Sequence, residues 1–156
     1  MTESSQSIEE LKNKIGVEWE LGIYEIERGM IRQFVQAIDD PNPLWQDEEY
    51  AKKSRYGSLI APPTFTVTIG FEQIAKKMTS LMPGTRLHGS TELECYELVR
   101  RGDTITVSGK IVDVRARESK RLGKMVFVTS DLTYKNLRQE PVAKCQQLSI
   151  LYQVEG

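Results

Sequence analysis

The sequence predicts an α+β domain in which an antiparallel sheet wraps around one long central helix. In the first half of the chain, apolar residues recur at helical spacing. In the second half they alternate with polar residues through four consecutive segments, which is typical of strands with one buried face. A long apolar helix followed by such a meander is best buried when the sheet curls around it. The 156 residues suffice for a single domain with a sizeable core.

The chain before the central helix is predicted to hold one strand and three short helices. Proline ends the second of these helices, because it cannot continue a helix and biases its predecessor towards extended backbone. The predicted elements are a disordered tail before about Ser7, a short helix over Ile8–Lys14, a strand over Leu21–Ile26, a helix over Arg28–Ile38, and a short helix capped by Asp47 and ending at Lys53.

The central helix is expected over Thr64–Thr79, directly after Pro62 and Pro63. Proline suits a helix entrance, where a missing N–H matters least. Few charges precede Glu72, so we expect other structure to surround the first turns. Four strands separated by turns are then expected over residues 87–95, 104–111, 125–134 and 141–152.

The composition argues against several classes of function. A formal net charge of -1 gives no basic field for nucleic acid. The polar N-terminus lacks the apolar region of a secretory signal, and the most apolar stretch, Leu59–Phe71, is too short to span a bilayer. His88 is the only histidine, which excludes a multi-histidine zinc site. Cys95 and Cys145 are predicted to be buried free thiols in a reducing cytoplasm rather than a disulfide pair.

The first segment that could carry chemistry is Asp40–Trp45, with the sequence Asp-Pro-Asn-Pro-Leu-Trp. A proline-stiffened turn between two helices explains it without any function. The same stiffness would fix the direction of the Asp40 carboxylate and of Trp45, as a catalytic loop requires. We call this segment the Asp40 loop.

The second segment, Gly57–Phe65, leads into the central helix. One interpretation is a loop that simply enters a core helix. The other is that the free N–H groups and positive dipole of the helix entrance stabilise a thioester carbonyl as it becomes an enolate. A third pair of segments, Leu81–Gly84 with Arg101–Ile105, indicates little by itself.

Together, in this order and spacing, the segments resemble the MaoC-like family of (R)-specific enoyl-CoA hydratases and (3R)-hydroxyacyl thioester dehydratases. The resemblance covers roughly Ile15 to Tyr152. It implies a single hot-dog domain over residues 15–154, preceded by a tail or short helix over residues 1–14. In active members the loop has the pattern Asp-x-Asn-Pro-x-His, and its aspartate and histidine hold the water that adds to, or leaves, the β-carbon. The helix entrance there carries His-Gly, whose glycine N–H is the oxyanion donor.

This sequence keeps Asp40, Asn42 and Pro43 but departs from the family pattern twice. Trp45 stands at the histidine position and Pro63 at the glycine position. An indole N–H accepts no proton and proline has no N–H to donate, so neither residue can perform the family's task. A lost acid/base costs about 10²–10⁴-fold in rate, and a lost oxyanion donor costs about 10²–10³-fold.

The altered loop and the Ala-Pro-x-Thr-Phe helix entrance make the chain most similar to the non-catalytic subunits of heteromeric (3R)-hydroxyacyl dehydratases, and to the degenerate N-terminal half of two-domain MaoC-like enzymes. The resemblance implies a homodimer, or a heterodimer or heterotetramer with a catalytic hot-dog chain, with the acyl chain between the two central helices. It implies no cofactor and no metal, since coenzyme A or a carrier protein bears the substrate. Asp40 remains the catalytic candidate. The expected substrate-binding residues are Asn42, Trp45, Pro63, Thr64, Phe65, Val67, Thr68 and His88.

Other functions fit parts of the same sequence. A hot-dog thioesterase would need a carboxylate on the central helix, where Glu72 is available but late. A non-enzymatic acyl-CoA-binding protein fits the altered site, and a self-sufficient homodimeric hydratase would combine Asp40 with His88. His88 is otherwise a structural or surface residue. The basic run Arg115–Lys124 is either a solvated hairpin tip or a contact for coenzyme A phosphates or an acidic carrier protein.

Overall fold

In the computed structural model, which describes residues 3–153, five strands form one antiparallel sheet around a central helical segment. Two short 3₁₀ segments lie between these elements. The first is Pro43–Trp45, and the second is Pro63–Thr68, which we call the entrance segment. The helices are α1 (Glu3–Asn13), α2 (Arg28–Ile38), α3 (Glu48–Lys53) and α4 (Phe71–Leu81), and the strands are β1 (Glu18–Glu25), β2 (Thr85–Cys95), β3 (Thr104–Ser119), β4 (Gly123–Lys135) and β5 (Pro141–Tyr152).

The strand order is β1-β3-β4-β5-β2, and all neighbours are antiparallel. β3, β4 and β5 form a meander as predicted, but β2 does not join it next to β3. It pairs with β5 instead, from Thr85 opposite Tyr152 to Cys95 opposite Ala143. Gly84 allows the chain to pass close to β5, because a Cβ there would lie 2.5 Å from the carbonyl oxygen of Tyr152.

The helices α2 and α3 confirm the sequence prediction. α2 spans Arg28–Ile38 and buries Ile31 and Val35, and it ends where Asp39 adopts a left-handed conformation with φ 52°. Asp47 caps α3, because its side chain accepts the Tyr50 N–H at 3.0 Å. In residues 3–153, no helix has both the length and the apolar character needed to cross a membrane.

The disordered tail predicted before Ser7 is wrong from Glu3 onward, because α1 begins there. Burial of Ile8 and Leu11 stabilises this helix against the rest of the domain, which short-range patterns do not reveal. Residues 1–2 of that tail, and the domain boundary predicted at residue 154, lie outside the described residues.

The central helix is not continuous, in contrast to the prediction of one helix over Thr64–Thr79. The entrance segment is 3₁₀, and the chain leaves helical geometry at Ile69 and at Gly70, whose φ is +80°. Contacts from the sheet hold this break. The Tyr134 hydroxyl donates to the Ile69 carbonyl at 3.2 Å, and a Cβ on Gly70 would lie 2.6 Å from Val107 Cγ1. Helical periodicity carries no information about such contacts.

We expect Gly70→Ala to destabilise the fold by about 3 kcal/mol, from left-handed strain of about 1–2 kcal/mol and overpacking of about 1–3 kcal/mol. Gly29→Ala is the matched control, since a Cβ there meets nothing within 4 Å and alanine favours a helix by about 0.5–1 kcal/mol. Urea unfolding of both variants measures the difference. Equal stability for the two variants would contradict the tertiary origin of the break.

β2 is poorly covered by the rest of the chain. Of its residues, only Arg86 and Leu93 are partly buried and the others are exposed. One edge pairs with β5, and the other has no strand beside it within the described chain. Cys95 lies here and is exposed, so its predicted burial is wrong, whereas Cys145 on β5 is buried and both thiols are free. An open strand edge of this kind is suited to pairing with another chain.

Candidate functional site

The connector Gly57–Ala61 joins two of the segments singled out in the sequence. On one side, the Ile60 N–H donates to the Leu44 carbonyl of the Asp40 loop at 3.3 Å. On the other, the Arg101 N–H donates to the Leu59 carbonyl at 3.1 Å. The Asp40 loop, the connector into the entrance segment, and the start of the Arg101 turn therefore form one continuous unit.

Hydrogen bonds from its own side chains stiffen the Asp40 loop. Asp40 Oδ1 accepts the Asn42 N–H at 3.0 Å, and Asn42 Oδ1 accepts the Leu44 N–H at 3.0 Å. The side-chain amide of Gln46 donates to the Asp40 carbonyl. The stiffness expected from the two prolines is present, but one oxygen of the Asp40 carboxylate is engaged by the loop backbone. Asn42 likewise acts here as a cap for the following 3₁₀ turn.

Trp45, at the position of the family's histidine, directs its polar group into the protein. The ring packs against the core, and Nε1 is buried with no hydrogen-bond partner among residues 3–153. A buried donor without a partner costs about 1–3 kcal/mol. The indole therefore fills space at this position and offers no group that could accept a proton.

The helix entrance lacks the donor of the active family members. Pro62 and Pro63 have no N–H, and the N–H of Phe65 is taken by the Pro62 carbonyl at 2.9 Å. The Cys95 thiol donates to the Pro63 carbonyl at 3.4 Å, and desolvation of its sulfur by neighbouring atoms raises the pKa of Cys95, although the residue as a whole is exposed, so it stays protonated at neutral pH. The thiol is thus a weak hydrogen-bond donor here and a poor nucleophile.

The predicted substrate-binding residues of the entrance segment separate into two sets. Thr64 and Thr68 are exposed, and Val67 is half-buried. Phe65 is 1% exposed, and its ring meets that of Phe34 edge-on with the centroids 5.8 Å apart. Its side chain therefore belongs to the core between α2 and the entrance segment rather than to an open acyl surface.

Thr66 is a residue that sequence reasoning missed. It is 2% exposed, and its hydroxyl has no hydrogen-bond partner in the described part of the chain. It lines a crevice of about 140 Å³ between the entrance segment and β2, together with Pro63, Cys95 and Leu98. No pattern in the sequence distinguishes this threonine from its neighbours Thr64 and Thr68.

His88 lies on β2 beside the start of α4. Its ring meets that of Phe71 edge-on at 5.9 Å, and its Nε2 lies 3.0 Å from Thr91 Oγ1. The Arg86 guanidinium stacks on the same Phe71 ring at 4.6 Å. These contacts belong to β2 and α4, and none of them reaches Asp40. Strand alternation places Arg86 and His88 on one face, which is the signal that could have identified this cluster.

Glu72, the carboxylate that a thioesterase would use, is ion-paired with Lys76 at 2.7 Å. The hydrogen bond from Lys76 lowers the pKa of Glu72, which makes the carboxylate a poor base at neutral pH. Within residues 3–153, no group of three or more His, Cys, Asp and Glu side chains could hold a metal ion.

Two features singled out in the sequence lie at the far end of the sheet from Pro63. Leu81–Gly84 precedes β2, where Thr85 pairs with Tyr152, whereas Cys95 at the opposite end of β2 contacts Pro63. The basic hairpin also lies at that far end. Several of its cations have partners within the chain: Arg115 with Asp113 at 2.9 Å, Arg117 over the Phe127 ring at 5.5 Å, and Lys124 with Ser5 at 3.3 Å.

A five-stranded antiparallel sheet around a central helical segment defines a hot-dog domain. The family model described as FAS1-like, dehydratase domain region matches residues 13–145, and the chain belongs to that family. The expected fold and the resemblance to MaoC-like hydratases and dehydratases are confirmed.

Individual relatives agree with this assignment. A UPF0336 protein of Thermobifida fusca is 35% identical over 97 residues, covering 60% of this chain and 64% of that protein. A probable enoyl-CoA hydratase alpha subunit of Thermomonospora curvata is 28% identical over 130 residues, covering 73% of this chain and 41% of that protein. The chain thus spans only part of the length of these relatives.

Among solved structures, a chain of the HadBC (3R-hydroxyacyl-ACP dehydratase) complex of Mycobacterium tuberculosis is similar, with a TM-score of 0.71. The match covers 87% of this chain and 96% of that chain, at 19% identity. At this level of identity, the similarity supports the fold alone.

Proposed function

We propose that this chain is the acyl-binding subunit of an acyl-thioester hydratase or dehydratase, and that a partner hot-dog chain supplies the catalytic groups. The reaction is the reversible addition of water to a 2-enoyl thioester, carried by coenzyme A or by a carrier protein, to give the 3-hydroxyacyl thioester. The chain acts in the cytoplasm and needs no cofactor. The partner carries the intact pattern Asp-x-Asn-Pro-x-His.

The observation that supports the proposal is that Trp45 and Pro63, which the resemblance places at the positions of the catalytic histidine and glycine, offer neither a proton acceptor nor a backbone N–H. Trp45 directs its N–H into the core, and Pro63 offers no N–H at the helix entrance. Nevertheless the Asp40 loop keeps its hydrogen bonds and its contact with the connector. A site with an ordered loop but without a proton acceptor or an oxyanion donor is suited to binding substrate next to another chain's catalytic groups.

The open side of the site supports a partner. Thr64 and Thr68 of the entrance segment are exposed, as are His88 and Thr91 on the neighbouring strand β2. The outer edge of β2 has no strand beside it within residues 3–153. A second hot-dog chain that pairs with this edge would extend the sheet and place its own central helix beside the exposed threonines, with the acyl group between the two helices.

The names of two relatives support an enzyme of more than one chain. The Thermomonospora curvata relative is named as an alpha subunit of a probable enoyl-CoA hydratase. The Mycobacterium tuberculosis structure is a complex of a (3R)-hydroxyacyl-ACP dehydratase. We carry the idea of a two-chain hydratase from these proteins to this chain.

We expect the purified chain alone to show no measurable hydration of crotonyl-CoA or longer 2-enoyl-CoA substrates, followed as loss of enoyl absorbance. Activity should appear when the chain is produced together with a hot-dog protein that carries Asp-x-Asn-Pro-x-His. Asp40→Ala should lower the activity of that complex without abolishing it, because the loop loses the acceptor of the Asn42 N–H while the partner keeps its catalytic groups.

Robust turnover by the isolated chain, lost in Asp40→Ala, would favour the self-sufficient homodimer instead. Tight binding of acyl-CoA without any activity in the presence of a catalytic hot-dog chain would favour the non-enzymatic acyl-CoA-binding protein. Both outcomes contradict the proposed role as a subunit.

A further inference from the structure

The outer face of the sheet, which points away from the central helical segment, carries a cluster of apolar side chains. Leu87 on β2 pairs with Ile150 on β5, and Ile150 pairs with Phe127 on β4, so the three lie in one row on the same face. Leu148 lies two residues before Ile150 and therefore shares this face. We call Leu87, Phe127, Leu148 and Ile150 the outer patch. Their neighbours along β4 and β5 are buried in the core, whereas the patch stays partly exposed, Leu87 to 43%.

Two arginines on β3 border the outer patch along one side. Arg115 pairs in register with Phe127, and Arg117 pairs with Met125 in the next row of the same face. The Arg117 guanidinium lies 5.5 Å from the centre of the Phe127 ring. Both arginines line, together with Phe127 and Leu148, a groove of about 360 Å³ on this face. The patch therefore has a cationic flank on the β3 side and the free edge of β2 on the other side.

Positive charge is concentrated in this part of the chain. Residues 113–124 hold five cations and two carboxylates, a net charge of +3, whereas the whole chain has a net charge of -1. One of the carboxylates, Asp113, lies 2.9 Å from the Arg115 guanidinium, and the two side chains are 45% and 71% exposed. A pair this exposed to water contributes little stability, so an incoming carboxylate can replace Asp113. An apolar surface beside cations is complementary to a ligand that has an apolar side and negative charge next to it.

We propose that the outer patch and its two arginines form a docking site for an acidic amphipathic helix of another protein. Leu87 and Phe127 are two strand spacings apart, about 10 Å, and a helix with its side chains is about 10–12 Å wide. Arg115 and Arg117 lie about 7 Å apart along their strand, and carboxylates four residues apart on a helix are separated by about 6 Å. A helix that lies along the strands thus places its apolar side on the patch and two carboxylates opposite the arginines.

This site is separate from the acyl-binding function proposed above. It lies on the outer face and towards the hairpin end of the sheet, whereas the Cys95 end of β2 contacts Pro63 on the inner face. The phosphates of coenzyme A would use the arginines but leave the apolar patch in water, so a helix accounts for more of the surface. A strip about 10 Å wide also suits a rod rather than a flat lipid surface.

The experiment measures binding of a fluorescein-labelled peptide to the full chain by fluorescence anisotropy. The peptide has about 14 residues, roughly 20 Å of helix, with leucines on one face and glutamates on both flanks. A hydrocarbon staple holds it helical, because a free peptide of this length is only marginally helical in water. We expect saturable binding of this acidic peptide and no binding of the same peptide with lysine in place of glutamate. Scrambling the acidic peptide, so that its leucines no longer share a face, should weaken binding at least about tenfold.

Charge reversal of the flank distinguishes docking from a structural role. The double variant Arg115→Glu with Arg117→Glu should lose the acidic peptide and bind the lysine peptide, which a disturbed fold does not produce. Both side chains are exposed, so the variant should fold. Phe127→Thr should weaken binding of the acidic peptide about tenfold. If that variant does not fold, Leu87→Thr at the exposed edge of the patch tests the same surface.

Two matched controls change the same kinds of side chain elsewhere. Lys52→Gln with Lys53→Gln removes two exposed cations from α3. Ile23→Thr removes an apolar side chain that is 74% exposed on β1. Both variants should bind the acidic peptide as the wild-type chain does.

An acidic peptide that does not bind, or that binds no better than the lysine peptide, would overturn the docking site. A charge-reversed chain that keeps its preference for the acidic peptide would do the same. If Phe127→Thr converts an oligomer into a smaller species in light scattering, a second copy of this chain covers the patch instead. Binding to phosphatidylglycerol vesicles without binding to the acidic peptide would identify a membrane contact and would also contradict the docking site.

Discussion

Neither Trp45→His nor Pro63→Gly alone is expected to turn the isolated chain into a measurable hydratase, and only the two changes together should give trace activity. Trp45→His adds a proton acceptor near Asp40, yet a thioester carbonyl would still face Pro63, which has no donor. Pro63→Gly adds an N–H, yet nothing activates the water. The groups act as a unit, so their effects are coupled rather than additive.

The structure gives two reasons why even the double variant should remain slow. Trp45 Nε1 is buried, so a histidine at this position inherits a cavity that opens towards the core rather than towards water. Asp40 Oδ1 is already engaged by the Asn42 N–H at 3.0 Å. The imidazole would therefore have to turn away from the core to reach a substrate. The carboxylate beside it would have only one oxygen free of the loop's own hydrogen bonds.

The measurement is hydration of a 2-enoyl-CoA by the wild-type chain and the three variants under identical conditions. The double variant combined with Asp40→Ala is the control, because any increase in rate that depends on the restored site must vanish there. Strong activity of Trp45→His alone would show that Pro63 is no obstacle and that the oxyanion donor lies elsewhere.

Local patterns in the sequence predicted those elements whose ends depend on local chemistry. The bounds of α2 follow from its apolar spacing and the prolines after it, and Asp47 caps α3 as expected. The stiffness of the Asp40 loop also follows from its own residues, since Asp40 and Asn42 bond to N–H groups two positions further along the chain.

Features determined by distant contacts were not predictable from the sequence alone. The break before α4 depends on Tyr134 and Val107, which are far away along the chain. The core position of Phe65 depends on Phe34 in another helix. β2 pairs with β5, which is far from it along the chain, and Cys95 on β2 is exposed. Long-range packing therefore shapes the open side of the site, where the exposed candidate residues lie.

We expect the chain to associate with a second chain through the free edge of β2, and proline substitutions in β2 test this expectation. We expect the chain alone to form dimers, or a heteromer when its partner is present. Adjacent residues of a strand point their N–H groups to opposite edges, so one of Thr91→Pro and Glu92→Pro removes a donor from the β5 ladder and the other removes one from the free edge. These two residues pair regularly with Gln147 and Gln146, beyond the irregularity between His88 and Ser90.

The variant that blocks only the free edge should keep a folded circular dichroism spectrum but appear as a monomer in light scattering, whereas the other should lose thermal stability. Each proline leaves one carbonyl of the opposing strand without its N–H donor, which costs about 1–3 kcal/mol. A symmetric dimer contains the substitution twice. The dissociation constant should therefore rise on the order of 10³-fold. A wild-type chain that is only monomeric at micromolar concentration, or two proline variants that both remain folded dimers, would show that association does not use this edge.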